Sequence, residues 1–128
     1  PSCASSLLSV AAYDADSNRL FLNSGRGYTQ NEIIKPDLAA PGVSVTAPVA
    51  GGGYEAFTGS CAASALTAGA TALLAQGGRQ MHPPITFTAQ QVKMLFLRGS
   101  RQSSAYVYPN REWGYGTLDL YHTFELIV

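Results

Sequence analysis

The stretch that decides the fold is FTGSCAASALTAGATALLA, residues 57–75. Residues 62–75 are mostly Ala, Leu and Thr without a charge, which predicts a buried helix because such a helix needs no polar face. Cys61 directly precedes it, where free amide N–H groups and the helix dipole would stabilise a thiolate or an oxyanion. Two interpretations remain open from this stretch alone: a nucleophile at a helix N-terminus, or a buried cysteine in a tight joint.

The composition bounds the possible functions. The 128 residues form at most one domain, or part of a larger one. Only 12% are charged, about half the usual share, so the surface is weakly charged or partly buried against something else. The net charge of zero argues against a nucleic-acid partner, and no apolar run is long enough for a membrane span. Cys3 and Cys61 are too few for a disulfide framework, so two free thiols are expected.

The remaining pattern predicts an α/β protein. The predicted strands are short and lie at residues 7–13, 19–22, around Leu38 and at 43–49. The predicted helices are 62–75, ended by Gly77 and Gly78; one that follows the capping box of Thr88 and Gln91; and 120–126, capped by Asp119. The loop at residues 51–53 is all glycine. So thin a sheet could not cover a buried helix, and we therefore expect the chain to be a piece of a larger α/β domain.

Three motifs resemble one family, the subtilisin-like serine proteases (subtilases). KPDLAAPG at residues 35–42 is similar to the family segment K-P-D-[IL]-x-A-P-G. TGSCAA at 58–63, continuing to Ala68 and Gly69, resembles the nucleophile motif G-T-S-x-A-x-P-x-x-A-G. WGYGTLD at 113–119 resembles G-x-G-x-[LIV]-[DN], which opens the closing helix. Their order and spacing agree, and SGRG at 24–27 is similar to the loop before the first motif. The nearest resemblance is to bacterial subtilases of clostridial type, including those linked to spore germination.

The resemblance implies a doubly wound, mostly parallel sheet flanked by helices. It implies hydrolysis of peptide bonds by an Asp/His/Ser triad, without a metal or cofactor. Residues 1–128 match the C-terminal part of that domain, so the Asp, His and oxyanion Asn segments are expected before Pro1. The implied partners are the rest of the domain, in the same or another chain, and a polypeptide substrate or protein partner. Exposed edges could also pair two copies, and an extracellular or spore-associated location is implied.

The nucleophile motif departs from the family at four positions. Cys61 stands where the family has Ser, and Ser60 where it has Thr. Ala65 and Leu66 stand where it commonly has Pro and His. The first departure argues against serine-protease chemistry.

Four functional interpretations therefore stay open. The chain is part of a peptidase domain and inactive alone, or it belongs to a regulatory or binding pseudoprotease. Alternatively, Cys61 is a working thiol nucleophile, or the chain is an interaction module unrelated to proteolysis.

Other candidate residues have simpler interpretations. His82 and His122 are the only imidazoles, and neither matches the catalytic His of the family. With scattered carboxylates they give no metal-site spacing. Asp37 is predicted to be a turn or cap acceptor.

The neighbours of the motifs are also assigned structural roles. A nucleophile at Ser60 instead of Cys61 would break the spacing from Gly59, and Ser64 merely flanks Cys61. Trp113 and Tyr115 are predicted to pack against the last helix.

Overall fold

The computed structural model describes residues 2–128, which fold into five short strands and three helices. The strands are β1 Val10–Asp14, β2 Arg19–Leu20, β3 Leu38–Pro41, β4 Val45–Pro48 and β5 Tyr54–Phe57. The helices are α1 Ser60–Gln80, α2 Ala89–Gly99 and α3 Leu120–Glu125. The predicted α/β class is confirmed.

The larger sheet has the strand order β2-β1-β3. β1 and β3 are parallel, with Val10 opposite Leu38 and Tyr13 opposite Pro41, whereas β2 is antiparallel to β1. The outer edge of β3 is bonded to the segment before α3, because the Leu118 amide donates to the Ala39 carbonyl at 2.8 Å. The parallel strands β1 and β3 therefore contact both α1 and the segment before α3.

Helix α1 packs on this sheet through one face. Its buried positions are Ala63, Thr67, Ala70, Leu74 and Gly78, which follow the helical period. The small side chains of Ala12 and Ala40 lie beneath Ala63 and let the helix approach the strands closely. No described residue covers the opposite face, and the cover expected from the rest of a larger domain stays a prediction.

The end of α1 also differs from the prediction. The helix continues through Gly77 and Gly78 to Gln80. A Cβ at Gly78 would lie 2.6 Å from the ring of Phe87 and 2.8 Å from the Ile85 carbonyl oxygen. Gly78 thus serves close packing rather than helix termination.

Two further apolar clusters lie on the sheet. Leu38, Leu74 and Phe96 are fully buried in the first, which α2 and α3 help to cover. In the second, Trp113 packs against Tyr13, with ring centroids 5.5 Å apart. The predicted packing of Trp113 against the last helix is therefore wrong, because its segment runs beside β3 and turns the indole towards the sheet.

The predicted helix caps are present in the structure. Thr88 and Gln91 form the capping box of α2, with the Thr88 amide donating to Gln91 Oε1 at 2.8 Å. Asp119 accepts a hydrogen bond from the His122 amide and begins α3.

Strands β4 and β5 form a separate antiparallel hairpin. The alternating pattern predicted β4 but not β5, whose residues are all exposed. Gly51, Gly52 and Gly53 join the two strands with φ of 86°, 95° and 95°, values that favour glycine. None of the described helices, at residues 2–128, is both long and apolar enough to cross a membrane.

Candidate functional site

Cys61 lies in the first turn of α1, on a loop that glycine holds against the sheet. The Gly59 amide donates to the Gly42 carbonyl at 2.7 Å, and the Gly42 amide donates to the Tyr13 carbonyl at 2.9 Å. Gly59 precedes the helix with φ of 151° and supplies no side-chain cap. Within the described residues, the amides of Ser60 and Cys61 therefore keep their donors free beside the thiol.

Gly42 is where three elements meet. A Cβ there would lie 2.6 Å from the Ala12 Cβ, 2.8 Å from the Gly59 carbonyl oxygen and 3.2 Å from the Ala63 Cβ. Only glycine lets β1, the loop and α1 approach this closely. The position of Cys61 relative to the sheet depends on that contact.

The Cys61 side chain is exposed, as is that of Cys3, and both thiols are free. The interpretation of Cys61 as a buried cysteine in a tight joint is therefore wrong, and the expectation of two free thiols is confirmed. The thiol is exposed because it projects from the first turn, before α1 comes to lie on the sheet.

An open cavity of about 660 Å³ lies beside Cys61. Its walls are the N-terminal turn of α1, the segment that leads into β1, the loop at residues 25–29 and the start of the K-P-D segment. The lining residues are Ser2, Cys3, Leu7, Leu8, Ser9, Val10, Gly25, Arg26, Gly27, Tyr28, Thr29, Lys35, Pro36, Ser60, Cys61 and Ser64. This volume lies within the usual range for ligand-binding pockets.

A buried ion cluster holds one wall of this cavity. Asp37 accepts from Lys35 Nζ at 2.6 Å and from Lys93 Nζ at 2.9 Å, and its side chain is only 4% exposed. It also accepts from the Ser9 amide at 2.7 Å. Both lysines donate to the Leu7 carbonyl, so the cluster ties α2 and β3 to the wall segment.

The predicted role of Asp37 as a turn or cap acceptor is therefore wrong. Its carboxylate reaches across the sheet to Ser9 and to two ammonium groups. Lys35 lies two residues away and could have been paired with it from the sequence. Lys93 is far from Asp37 in the sequence, so no local pattern indicated that the two would pair.

The other predicted candidates divide into two groups. Ser60 and Ser64 line the cavity with Cys61. His82 and His122 are absent from its lining, and the Nδ1 of His122 lies 3.2 Å from the Gly99 carbonyl oxygen. Within residues 2–128, no cluster of three or more His, Cys, Asp or Glu side chains could hold a metal ion.

A second cavity, of about 450 Å³, lies on the uncovered side of α1. Leu66, one of the positions that depart from the family pattern, lines it. All of its lining residues are apolar: Pro41, Leu66, Gly69, Ala70, Leu73, Leu118 and Leu120. From Ser60 to Gly78 no residue of the helix is charged, although solvated helix faces normally carry charge.

Comparisons with known proteins agree on one family. The model of the subtilase family matches residues 1–116. The structure of the CspB protease of Clostridium perfringens superposes with a TM-score of 0.90 at 31% identity, over 99% of this chain and 28% of that chain. The protease domain of PatA, in a mutant form, superposes with a TM-score of 0.79 at 25% identity, over 99% of this chain and 42% of that chain.

A further structure shows the likeness of fold alone. The prenylagaramide maturation protease PagA superposes with a TM-score of 0.80 at 22% identity, over all of this chain and 45% of that chain. This chain thus spans 28% to 45% of the length of the structures it matches. A search of curated protein sequences gave no match.

Proposed function

Because the chain belongs to the subtilase family, we propose that it is the C-terminal, nucleophile-bearing part of a subtilisin-like peptidase domain. Cys61 takes the nucleophile position. The observation that carries the proposal is the exposed Cys61 thiol in the first turn of α1, beside a cavity of about 660 Å³. The K-P-D and W-G-Y-G segments, which resemble those of the family, hold that turn and the neighbouring strand in place.

The geometry around Cys61 supports part of an acyl-transfer mechanism. The sulfur would attack a peptide carbonyl held in the cavity, and the unpartnered amides at the start of α1 would help to stabilise the resulting oxyanion. The thiol proton must pass to a general base, which would then give it to the amine that leaves when the peptide C–N bond breaks and the acyl-thioester forms. The described lining of the cavity contains neither an imidazole nor a carboxylate, so a segment outside these residues would supply the base.

The chain alone is accordingly proposed to be inactive as a peptidase. Each missing oxyanion donor costs about a hundredfold or more in rate, and without its base the nucleophile loses most of its advantage. The remainder of the domain, in the same or another polypeptide, is the proposed partner. The apolar cavity at Leu66 and Leu73 and the uncharged outer face of α1 are surfaces that such a partner could cover.

Completing the domain tests the proposal. The chain is joined to an upstream subtilase segment that carries the Asp, His and Asn residues, with either Cys61, Cys61→Ser or Cys61→Ala. Cleavage of a casein substrate is measured for each. We expect cleavage by at least one of the first two forms and none by the alanine form. A folded hybrid in which neither cleaves, or in which the alanine form cleaves equally, would overturn the assignment.

A regulatory pseudoprotease is the second candidate. The observation that favours it is the grouping of the departures, Cys61 and Leu66, within the first two turns of α1. It predicts that the hybrid binds polypeptide with Cys61, and cleaves only after Cys61→Ser. Cleavage with Cys61 itself would instead establish the third candidate, a thiol peptidase. The family match argues against an interaction module unrelated to proteolysis.

A further inference from the structure

The cavity beside Cys61 has a cationic lining. It contains two cationic side chains, Arg26 and Lys35, and no carboxylate among its described lining residues. The other polar side chains are mostly hydroxyls, which accept and donate: Ser2, Ser9, Tyr28, Thr29, Ser60 and Ser64. The cavity thus offers donors for an anion, whereas it offers no charged acceptor for a cation.

The buried cluster behind the wall adds to the positive potential. Lys35 and Lys93 share the single carboxylate of Asp37, so three charges leave an excess of one positive charge. The Lys35 side chain is only 7% exposed, and its charge is poorly screened by solvent there. The side chain of Asp37 does not line the cavity.

Arg26 is the more exposed of the two cations that line the cavity. Its nearest carboxylate is that of Glu112, with the Nε and Oε1 atoms 3.7 Å apart and both side chains nearly half exposed. That distance is too long for a charge-assisted hydrogen bond, and exposed pairs of this kind contribute little. The guanidinium can therefore turn to a ligand. Arg111 lies over the ring of Tyr28, at 4.9 Å from its centroid, and keeps a further cation near.

We propose that this cavity recognises an acidic side chain, Asp or Glu, of a bound polypeptide. The carboxylate accepts from Arg26 and from the hydroxyls of the lining, while the excess charge of the lysine cluster favours its entry. The inference rests on the proposed function, because it names the substrate class of the same site. Its test is a binding measurement and does not depend on cleavage.

Binding of matched peptides to the chain tests the charge preference. Two labelled heptapeptides differ only by Glu or Gln at the central position, and fluorescence anisotropy gives their dissociation constants under reducing conditions. At low salt we expect the Glu peptide to bind about threefold more tightly, the size expected for a partly exposed charge pair. Near 1 M salt, where the Debye length is about 3 Å, the ratio should fall towards one.

Two substitutions locate the effect. Arg26→Gln should lower the Glu/Gln ratio, and Glu112→Gln should raise it by removing the negative charge beside Arg26. Arg19→Gln, an exposed change of the same charge outside the cavity, is the control and should leave the ratio unchanged. The inference would be overturned if both peptides bind equally or if neither binds. It would also be overturned if Arg19→Gln and Arg26→Gln change the Glu/Gln ratio equally. Failed cleavage in the completed domain would count only against the proposed function.

Discussion

At the residue scale, the position of Cys61 depends on residues that have no proposed catalytic role. Gly42 and Gly59 join the loop before α1 to the sheet through one short hydrogen bond, 2.7 Å long. Asp37 holds the opposite wall of the cavity through two ammonium groups. The close contact between Gly42 and Gly59 therefore positions Cys61 on one side of the cavity. The buried ion cluster of Asp37 fixes the wall on the other side.

Replacing Gly42 with alanine should destabilise the fold by about 1–3 kcal/mol, because the new methyl meets backbone and short side chains that cannot move aside. Its Cβ would lie 2.8 Å from the Gly59 carbonyl oxygen. The matched control is Gly69→Ala in the middle of α1, where a Cβ meets nothing within 4 Å. That change should stabilise the fold by up to about 1 kcal/mol, because alanine favours a helix more than glycine does. Urea unfolding measures both, and equal effects would contradict the packing argument.

Replacing Asp37 with asparagine should cost about 3 kcal/mol, because it leaves buried ammonium groups without their carboxylate. The change keeps the side-chain shape, so packing is little affected. Asp16→Asn, an exposed position, is the control and should stay within about 0.5 kcal/mol. Denaturant unfolding at neutral pH provides the comparison. A loss at Asp37 no larger than at Asp16 would show that the cluster does not support the fold.

At the element scale, α3 begins at a charged cap. The Asp119 carboxylate accepts from the His122 amide at 2.9 Å and from Arg101 Nη2 at 2.8 Å. The hydrogen bond from His122 is the main reason that the pKa of Asp119 lies below its usual 3.8, with Arg101 adding to the effect and partial burial opposing it. A carboxyl whose folded pKa is depressed stabilises the fold above its unfolded pKa, and that contribution is lost as pH falls through the folded value.

Asp119→Asn should therefore weaken the fold at pH 7 by about 0.5 kcal/mol, the size expected for a charge at a helix N-terminus. Asparagine retains the capping geometry, so the difference in stability between the two proteins measures the effect of the charge. Thermal unfolding from pH 7 to pH 2 should show the two proteins converging below the usual pKa of 3.8. Glu125→Gln at the other end of α3 is the control. A difference that persists unchanged at pH 2 would mean that the charge is not its cause.

At the scale of the whole molecule, the outer side of α1 is left uncovered. Leu66 and Leu73 are 36% and 53% exposed, and both line an apolar cavity. Because contiguous exposed apolar surface promotes association, we expect the isolated chain to associate as its concentration rises.

Leu73→Lys should weaken that association several-fold, because it introduces a charge that would be buried between the associating surfaces. Sedimentation velocity over a range of concentrations measures the change. Leu22→Lys, which replaces a side chain that is 79% exposed and outside this cavity, is the control. If Leu22→Lys weakens association as much as Leu73→Lys does, the outer face of α1 is not the contact surface.

Local interactions explain what the sequence by itself determined. The capping box of α2 and the cap of α3 involve residues three positions apart, and the strand around Leu38 is delimited by its own prolines. The family motifs place Cys61 at the start of a helix because such motifs are read from consecutive residues. The α/β class follows from these elements.

Only the tertiary structure decided the rest, because the contacts concerned join residues far apart in the chain. Burial of a single face of α1 depends on which elements reach it, and Gly78 continues the helix because Phe87 packs against it. Trp113 faces the sheet because its segment runs beside β3. Asp37 meets Lys93 only when α2 docks. The charge of the cavity beside Cys61 likewise exists only once four separate segments have come together.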